Sequence, residues 1–155
     1  MLIYRITLTK YSDLLTAPGR AARWNSNGVF VIYTAGSISL ACLENVVNRN
    51  GTDLSIGNFS LIIIEVPDST AKEVSLLKVE RLHPNWYKVD NEAYLLTQRI
   101  GDNWIKSGES LLMKVPSSII PLEYNYLINQ HHPDFSNVRI VSTQKFIFDQ
   151  RIKMI

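Results

Sequence analysis

The sequence is poor in cysteine and has no long apolar run, and each shortage excludes a class of protein. Cys42 is the only cysteine among 155 residues, so the chain has no disulfide framework, no cysteine-based zinc site and no C-x-x-C redox pair. The longest aliphatic run, residues 61–64, is far shorter than the roughly 18–20 apolar residues of a membrane-spanning helix. Residues 1–5 lack the basic and then apolar layout of a secretion signal. These absences predict a cytoplasmic protein with no membrane partner.

The sequence also has no large excess of positive or negative charge. The chain has 16 Lys and Arg against 14 Asp and Glu, a formal net charge of +2, and the basic residues are spread along it. Direct nucleic-acid binding is not expected, because such proteins usually carry a basic stripe. The hydrophobic fraction of 46% is typical of a globular chain. We expect one domain over residues 1–155, large enough to fold without a metal or a disulfide.

Strand patterns outnumber helical ones along the chain. Runs of aliphatic and β-branched residues predict strands at residues 2–8, 29–34, 59–66, 74–79, 111–115 and 138–141. Residues 146–148 are either the continuation of the last strand or a partner strand to it. Helical spacing predicts one helix over residues 38–49, with Ser37 as N-cap and Asn50 and Gly51 as its stop, and a second over residues 92–107 that contains the unfavourable Gly101. Strands and helices do not alternate regularly. The pattern predicts an α+β fold with a mixed or antiparallel central sheet.

The segment from Arg23 to Glu44 is the most informative part of the sequence, because no charged residue or histidine lies between these two. Asn27 and Gly28 predict a turn before an apolar strand that ends near Tyr33. Glu44 lies beside the apolar stripe of the first helix, where a carboxylate is costly to bury without a partner or a water-filled cleft. Two interpretations stay open: Glu44 is a functional group in a cleft, or it reaches solvent or pairs with Arg23.

A second candidate region follows the predicted strand at residues 111–115. Pro116 and Pro121 bracket Ser117 and Ser118 in an otherwise apolar stretch. This pattern fits a rigid loop that presents a hydroxyl, and it equally fits an ordinary strand exit with a capping serine. No G-x-S-x-G turn accompanies either serine, so a serine-hydrolase triad is not predicted.

Metal and nucleotide motifs are not supported. His131 and His132 stand near Asp134, but neighbouring side chains of an extended segment point in opposite directions, and no H-x-x-x-H pair accompanies them. We therefore predict no metal. Neither a Rossmann fingerprint nor a phosphate-binding P-loop is present. The aromatic residues of the central region are predicted to serve packing: Trp86, Tyr87, Tyr94 and Trp104.

Two stretches of the sequence resemble the RES domain family. They are R-W-N-S-N-G-V-F-V-I-Y-T-A-G-S-I-S-L-A-C-L-E at residues 23–44 and V-P-S-S-I-I-P-L-E-Y-N-Y-L-I-N at residues 115–129, the latter followed by H-P-D-F. The opening Y-R-I also looks like the start of the family pattern. The chain departs from that pattern at Ala21 and Ala22, where two glycines are common, and at Gln130, where proline is usual. RES domains are toxins of bacterial RES–Xre toxin–antitoxin systems, with a fold similar to that of ADP-ribosyltransferases.

The resemblance implies an enzyme that depletes NAD⁺ by cleaving the nicotinamide–ribose bond, with water or inorganic phosphate as the attacking group and no cofactor. It assigns Arg23, Glu44 and Ser117 to the arginine, glutamate and serine for which the family is named. It also assigns Tyr33 to a tyrosine of the same site. The expected roles are phosphate binding by Arg23, stacking on nicotinamide by Tyr33 and stabilisation of the cationic ribose by Glu44. Ser117 and Asn25 are expected to bind substrate.

The resemblance also implies a protein partner, an Xre-family antitoxin that covers the active site and makes the DNA contacts. A homodimer, and the choice between Ser117 and Ser118, are left open. Two other functions are compatible with the same residues. One is an ADP-ribosyltransferase that modifies a macromolecule, and the other is a binding module with a degenerate site.

Overall fold

The computed structural model describes residues 1–49, 51–71 and 74–152. Its strands are β1 (Leu2–Leu8), β2 (Val31–Ala35), β3 (Phe59–Glu65), β4 (Ser75–Leu76), β5 (Leu112–Pro116), β6 (Tyr124–Asn129) and β7 (Arg139–Phe146). Its α-helices are α1 (Ile38–Asn48), α2 (Gly51–Ile56), α3 (Asp68–Ala71) and α4 (Asn91–Ser107). The strands form one sheet in the order β4-β5-β6-β2-β1-β3-β7. β4 pairs with β5 in parallel and the other neighbours are antiparallel, which confirms the predicted α+β fold with a mixed sheet.

Both faces of the sheet are covered by apolar side chains. On the paired strands β1 and β3, Ile3 and Ile64 lie opposite each other and belong to one buried cluster, whereas Ile6 and Leu61 belong to another. Successive strand residues point to opposite faces, so the nearly continuous apolar sequence of β3 is what a strand buried on both sides requires. The centre of the sheet is therefore rigid, and β1 and β2 lie side by side within it.

The two longer helices begin where the sequence predicts. The Ser37 hydroxyl accepts a hydrogen bond from the N–H of Leu40 at 3.1 Å, and the Asp90 carboxylate accepts one from the N–H of Ala93 at 2.8 Å. Such caps satisfy N–H groups that have no partner within the helix. α4 ends at Gly108, whose φ of +62° suits glycine. α1 ends at Asn48; Asn50, half of the predicted stop signal, lies outside the described residues, and residue 51 begins α2 rather than a loop.

The strand predicted at residues 74–79 needs correction, because it shrinks to the two residues of β4. The strand predicted at residues 138–141 continues to Phe146 as β7, so of the two alternatives for residues 146–148 the structure shows the continuation and not a partner strand. β6 was not predicted at all. It hydrogen-bonds to β2 on one side and β5 on the other. Within the described ranges, no helix is long and apolar enough to cross a membrane.

Candidate active site

The loop before β2 is packed against α4. Its turn is confirmed by Gly28, which has a φ of +88° that favours glycine. The N–H of Ser26 donates to the Asp102 carboxylate at 3.0 Å. A Cβ atom on Gly101 would overlap the backbone carbonyl of Trp24, so the glycine that weakens the helix prediction is the residue that lets this loop approach. Trp24 itself is buried.

Arg23 connects this loop to another loop of the protein. One guanidinium nitrogen donates to the carbonyls of Trp86 at 2.6 Å and Lys88 at 3.3 Å, and the other donates to the carbonyl of Tyr87 at 3.2 Å. The guanidinium also lies over the ring of Tyr94, 4.7 Å from its centroid. Three of the five guanidinium donors are therefore engaged with main-chain oxygens. This placement differs from the predicted role of Arg23 as a phosphate-binding group.

The hydroxyl of Tyr33 is held by the same loop. It donates to the side-chain oxygen of Asn25 at 2.6 Å and accepts from the N–H of Trp24 at 3.0 Å. Burial is the main cause that raises the pKa of Tyr33 well above its ordinary value, so the hydroxyl stays protonated at neutral pH. The amide nitrogen of the buried Asn25 donates only to carbonyls, those of Arg20, Val29 and Ser26. Asn25 thus holds the hydroxyl of Tyr33, and its expected contact with substrate stays a prediction.

The carboxylate of Glu44 is oriented by neighbouring amide groups. Glu44 projects from α1, and its Oε1 accepts a hydrogen bond from the side-chain nitrogen of Asn125 on β6 at 2.6 Å. Its Oε2 accepts a longer one from Asn48, one turn further along the helix, at 3.3 Å. A short bond from an amide to an ionised carboxylate is among the stronger hydrogen bonds in proteins. Glu44 is therefore held in place without a positive partner among the described residues.

Ser117 lies behind Glu44. Its hydroxyl donates to Oε1 of Glu44 at 3.5 Å and accepts from the N–H groups of Ile119 and Ile120, both at 3.1 Å. The side chain is completely buried, whereas the neighbouring Ser118 is partly exposed. Ser117, not Ser118, thus lies at Glu44. In the structure its hydroxyl contacts the carboxylate of Glu44, and the substrate contact expected from the resemblance stays a prediction.

A second connection ties the Ser117 loop to α1. The Ser37 hydroxyl donates to the Glu123 carboxylate at 2.9 Å, and the backbone N–H of Ser117 donates to the Glu123 carbonyl at 2.9 Å. The residue that caps α1 therefore also contacts the segment between β5 and β6. This arrangement fixes the helix that carries Glu44 relative to the loop that carries Ser117.

Tyr33 and Glu44 share a small cleft of about 120 Å³ between β1, β2, β6 and α1. Its polar and aromatic lining consists of Tyr4, Arg5, Tyr33, Thr34, Glu44, Asn45 and Asn125. Arg5 was not predicted as a site residue, although the opening Y-R-I that contains it is part of the resemblance. Its guanidinium donates to the carbonyl of Thr16 at 3.2 Å and forms no ion pair with a described carboxylate. Burial lowers its pKa, yet an arginine remains charged at neutral pH.

The structure thus brings together only part of the predicted set. Tyr33 and Glu44 line the cleft. Ser117 hydrogen-bonds to Glu44, and Asn25 hydrogen-bonds to Tyr33. Arg23 does not line the cleft. No ion pair joins Arg23 to Glu44, so the interpretation of Glu44 as the ion-pair partner of Arg23 is excluded.

The other residues singled out in the sequence lie away from the cleft. The described residues contain no group of three His, Cys, Asp or Glu suited to a metal ion. Trp86 and Trp104 are buried as predicted, whereas Tyr87 is half exposed.

A larger groove of about 840 Å³ lies elsewhere on the molecule. It is lined by residues of α1, α2, β3 and the segment after β7, including Leu54, Phe59 and Phe148. None of the predicted site residues lines it. The small cleft is the candidate active site because it alone of these two is lined by predicted site residues, Tyr33 and Glu44.

A known structure has the same fold. Comparison with solved structures matches a chain of the crystal structure of the M. tuberculosis MbcT–MbcA toxin–antitoxin complex, with a TM-score of 0.67 and 15% sequence identity. The match covers 94% of this chain and 84% of that chain. The chain is therefore an α+β protein with the fold of a component of that complex.

The sequence comparisons identify the family. A sequence model of the RES domain matches residues 2–149. A protein named Toxin Res from Yersinia enterocolitica is 35% identical over 99% of this chain and 100% of its own length. The Prs ADP-ribosylating toxin of Sphingobium sp. is 37% identical over 84% of this chain and 79% of its own length. The chain belongs to the RES domain family.

Proposed function

We propose that this protein is the toxin of a toxin–antitoxin system and that it depletes NAD⁺ by cleaving the nicotinamide–ribose bond. The observation that carries the proposal is the Glu44 carboxylate, held at 2.6 Å by Asn125 in a cleft that also contains Tyr33 and the cation of Arg5. The relatives named as toxins, one of them as ADP-ribosylating, support the same conclusion.

Glu44 supplies the electrostatic part of the proposed chemistry. Departure of nicotinamide leaves positive charge on the ribose, as in the oxocarbenium-like transition state of glycoside hydrolysis. A carboxylate that is already oriented stabilises that charge more effectively than water does, because it need not reorganise during the reaction. Asn125 and Ser117 hold Oε1 in this orientation. Water or inorganic phosphate then attacks the ribose carbon as the carbon–nitrogen bond to nicotinamide breaks.

Tyr33 and the two arginines divide the remaining tasks. The Tyr33 ring faces the cleft while its hydroxyl is fixed from behind, so the ring is a rigid stacking surface for nicotinamide. Arg5 is a cation in the cleft without a carboxylate partner among the described residues, which suits the pyrophosphate of NAD⁺. Arg23 positions the loop that holds Tyr33. The family arginine that contacts substrate is then Arg5, a revision of the sequence-based assignment to Arg23.

A protein antitoxin is the proposed partner. The fold is shared with a chain of a solved toxin–antitoxin complex, which supports neutralisation by direct binding. The resemblance to RES–Xre systems makes an Xre-family protein the expected antitoxin, with the DNA contacts made by that partner. The expected location is the cytoplasm, where NAD⁺ is abundant.

Product analysis tests the proposal. The purified protein is incubated with NAD⁺, with and without inorganic phosphate, and the products are separated by chromatography. Free nicotinamide with ADP-ribose indicates hydrolysis, and nicotinamide with phosphorylated ADP-ribose indicates phosphorolysis. No loss of NAD⁺ from folded protein free of antitoxin contradicts the proposal.

A second candidate function rests on one relative. Because a homologue at 37% identity is named an ADP-ribosylating toxin, transfer of ADP-ribose to a macromolecule is the alternative reaction for this site. The same cleft serves both reactions, since only the attacking group differs. Label from NAD⁺ that carries a radioactive adenylate would then appear in a cellular macromolecule, and free ADP-ribose would not accumulate.

A further inference from the structure

Asn125 occupies a special position in the cleft. It lies on β6 between Ala35 of β2 and Val115 of β5, in the interior of the sheet. Its side-chain nitrogen donates to Oε1 of Glu44 at 2.6 Å. An ionised carboxylate can only accept hydrogen bonds, so the nitrogen of the amide must face Glu44 and the oxygen must face away from it. The orientation of the amide is thus determined by the carboxylate.

The amide oxygen of Asn125 is left without a partner. It is the single buried side-chain nitrogen or oxygen atom in the described part of the chain that has no hydrogen bond. A buried acceptor that lacks a donor is unfavourable, and native proteins keep few of them. Asn125 also lines the cleft that contains Glu44 and Tyr33. An acceptor in this position is suited to a donor group of the bound substrate.

We propose that Asn125 is both a positioning residue and a specificity residue of this site: its amide nitrogen orients Glu44, and its amide oxygen accepts a hydrogen bond from a hydroxyl of the nicotinamide-bearing ribose. This inference rests on the proposed NAD⁺ cleavage. The ribose is the expected donor because Glu44, one hydrogen bond away, acts on that ring. A site with a buried acceptor discriminates strongly against a substrate that lacks the matching donor, since the acceptor is then left unpaired.

Two substitutions test the two functions of Asn125. Asn125→Ala removes the hydrogen bond to Glu44 and the proposed hydrogen bond to the ribose, and it should lower kcat/KM for NAD⁺ about 30- to 300-fold. Asn125→Asp keeps the size but places a second carboxyl group beside Oε1 of Glu44. Two carboxyl groups at that distance share a proton, so the acidic limb of the pH–rate profile should move upward by at least about one pH unit.

The test measures kcat/KM for NAD⁺ and for its 2′-deoxy and 3′-deoxy analogues at the nicotinamide ribose. The proteins are wild type, both Asn125 variants and the control Asn103→Ala, which removes an exposed asparagine of α4. Thermal unfolding verifies that each is folded. We expect the penalty of Asn125→Ala to shrink at least about fivefold with one deoxy analogue, because that analogue no longer offers the hydroxyl. Asn103→Ala should match wild type.

The outcomes are distinguishable. Equal penalties for all three substrates overturn the specificity role, and an unshifted pH profile of Asn125→Asp overturns the positioning role. Wild-type rates in Asn125→Ala overturn both. If folded wild type itself consumes no NAD⁺, the proposed function fails and the inference fails with it. If the wild type consumes NAD⁺ and the Asn125 variants consume it equally well, the inference alone is refuted.

Discussion

Replacement of Arg5 and of Arg23 by glutamine should affect different properties of the protein. Arg5 lies in the cleft, has no ion pair with a described carboxylate and donates to one carbonyl at 3.2 Å. Arg23 donates to three main-chain carbonyls and lies over an aromatic ring. We expect Arg5→Gln to impair substrate binding and Arg23→Gln to impair stability. The pair is matched, because each change removes one positive charge and keeps a hydrogen-bonding side chain.

The magnitudes follow from these contacts. Arg23→Gln loses three hydrogen bonds from a charged donor. Since the side chain is partly exposed and two of the bonds are long, we expect a loss of about 2–4 kcal/mol of unfolding free energy. Arg5→Gln loses one bond but relieves the cost of a desolvated cation, so stability should change by less than about 1 kcal/mol. A lost contact to pyrophosphate of about 1.5–3 kcal/mol corresponds to a rise in KM of about 10- to 150-fold.

Urea denaturation and steady-state NAD⁺ turnover measure the two effects separately. Turnover is measured at a temperature well below both unfolding midpoints, so that only folded enzyme contributes. If Arg5→Gln leaves KM unchanged while Arg23→Gln raises it strongly without a change in stability, our reasoning is refuted. Arg23 would then be the phosphate-binding arginine, as the sequence alone suggests.

Three further predictions concern single residues. Because burial raises the pKa of Tyr33 in the folded state, the folded protein retains a proton that the unfolded chain releases above about pH 10. Between pH 9 and 11 the unfolding free energy should therefore fall by about 1.4 kcal/mol more in wild type than in Tyr33→Phe. Equal losses for the two proteins in urea denaturation would contradict this. Gly101→Ala improves helix propensity but forces a Cβ against the Trp24 carbonyl, so the unfolding free energy should drop by about 2 kcal/mol or more; an unchanged urea midpoint would show that the loop moves freely. Ser117→Ala should lower kcat about tenfold through Glu44, whereas Ser118→Ala should stay within about twofold of wild type, and the reverse order would place the wrong serine at the site.

The strands of the sheet differed in how far the sequence could predict them. β1 and β3 were predictable because their runs of apolar residues directly indicate buried strands. β6 has the sequence Y-N-Y-L-I-N, in which asparagine disfavours strands and tyrosine favours them. Its strand conformation depends on pairing with β5, which precedes it, and with β2, which lies far away along the chain. Local propensity does not contain this information.

The residues of the candidate site likewise differ in how far the sequence could predict them. The segment that contains Tyr33 and Glu44 is continuous in sequence, and both residues line the cleft. Arg5 is added by the pairing of β1 with β2, where Tyr4 lies opposite Ala35. The contacts of Arg23 could not be predicted, because its partners are backbone carbonyls more than 60 residues away and residue identities do not indicate which carbonyls accept a hydrogen bond.

The rate of nicotinamide release from NAD⁺ by wild type and by Glu44→Gln tests the central claim most directly. Gln keeps the size of the side chain and removes the negative charge that stabilises the cationic ribose. We predict that the variant unfolds at a similar temperature and releases nicotinamide at least about 100-fold more slowly. Release by folded Glu44→Gln at the wild-type rate would contradict the assignment of this cleft as the active site.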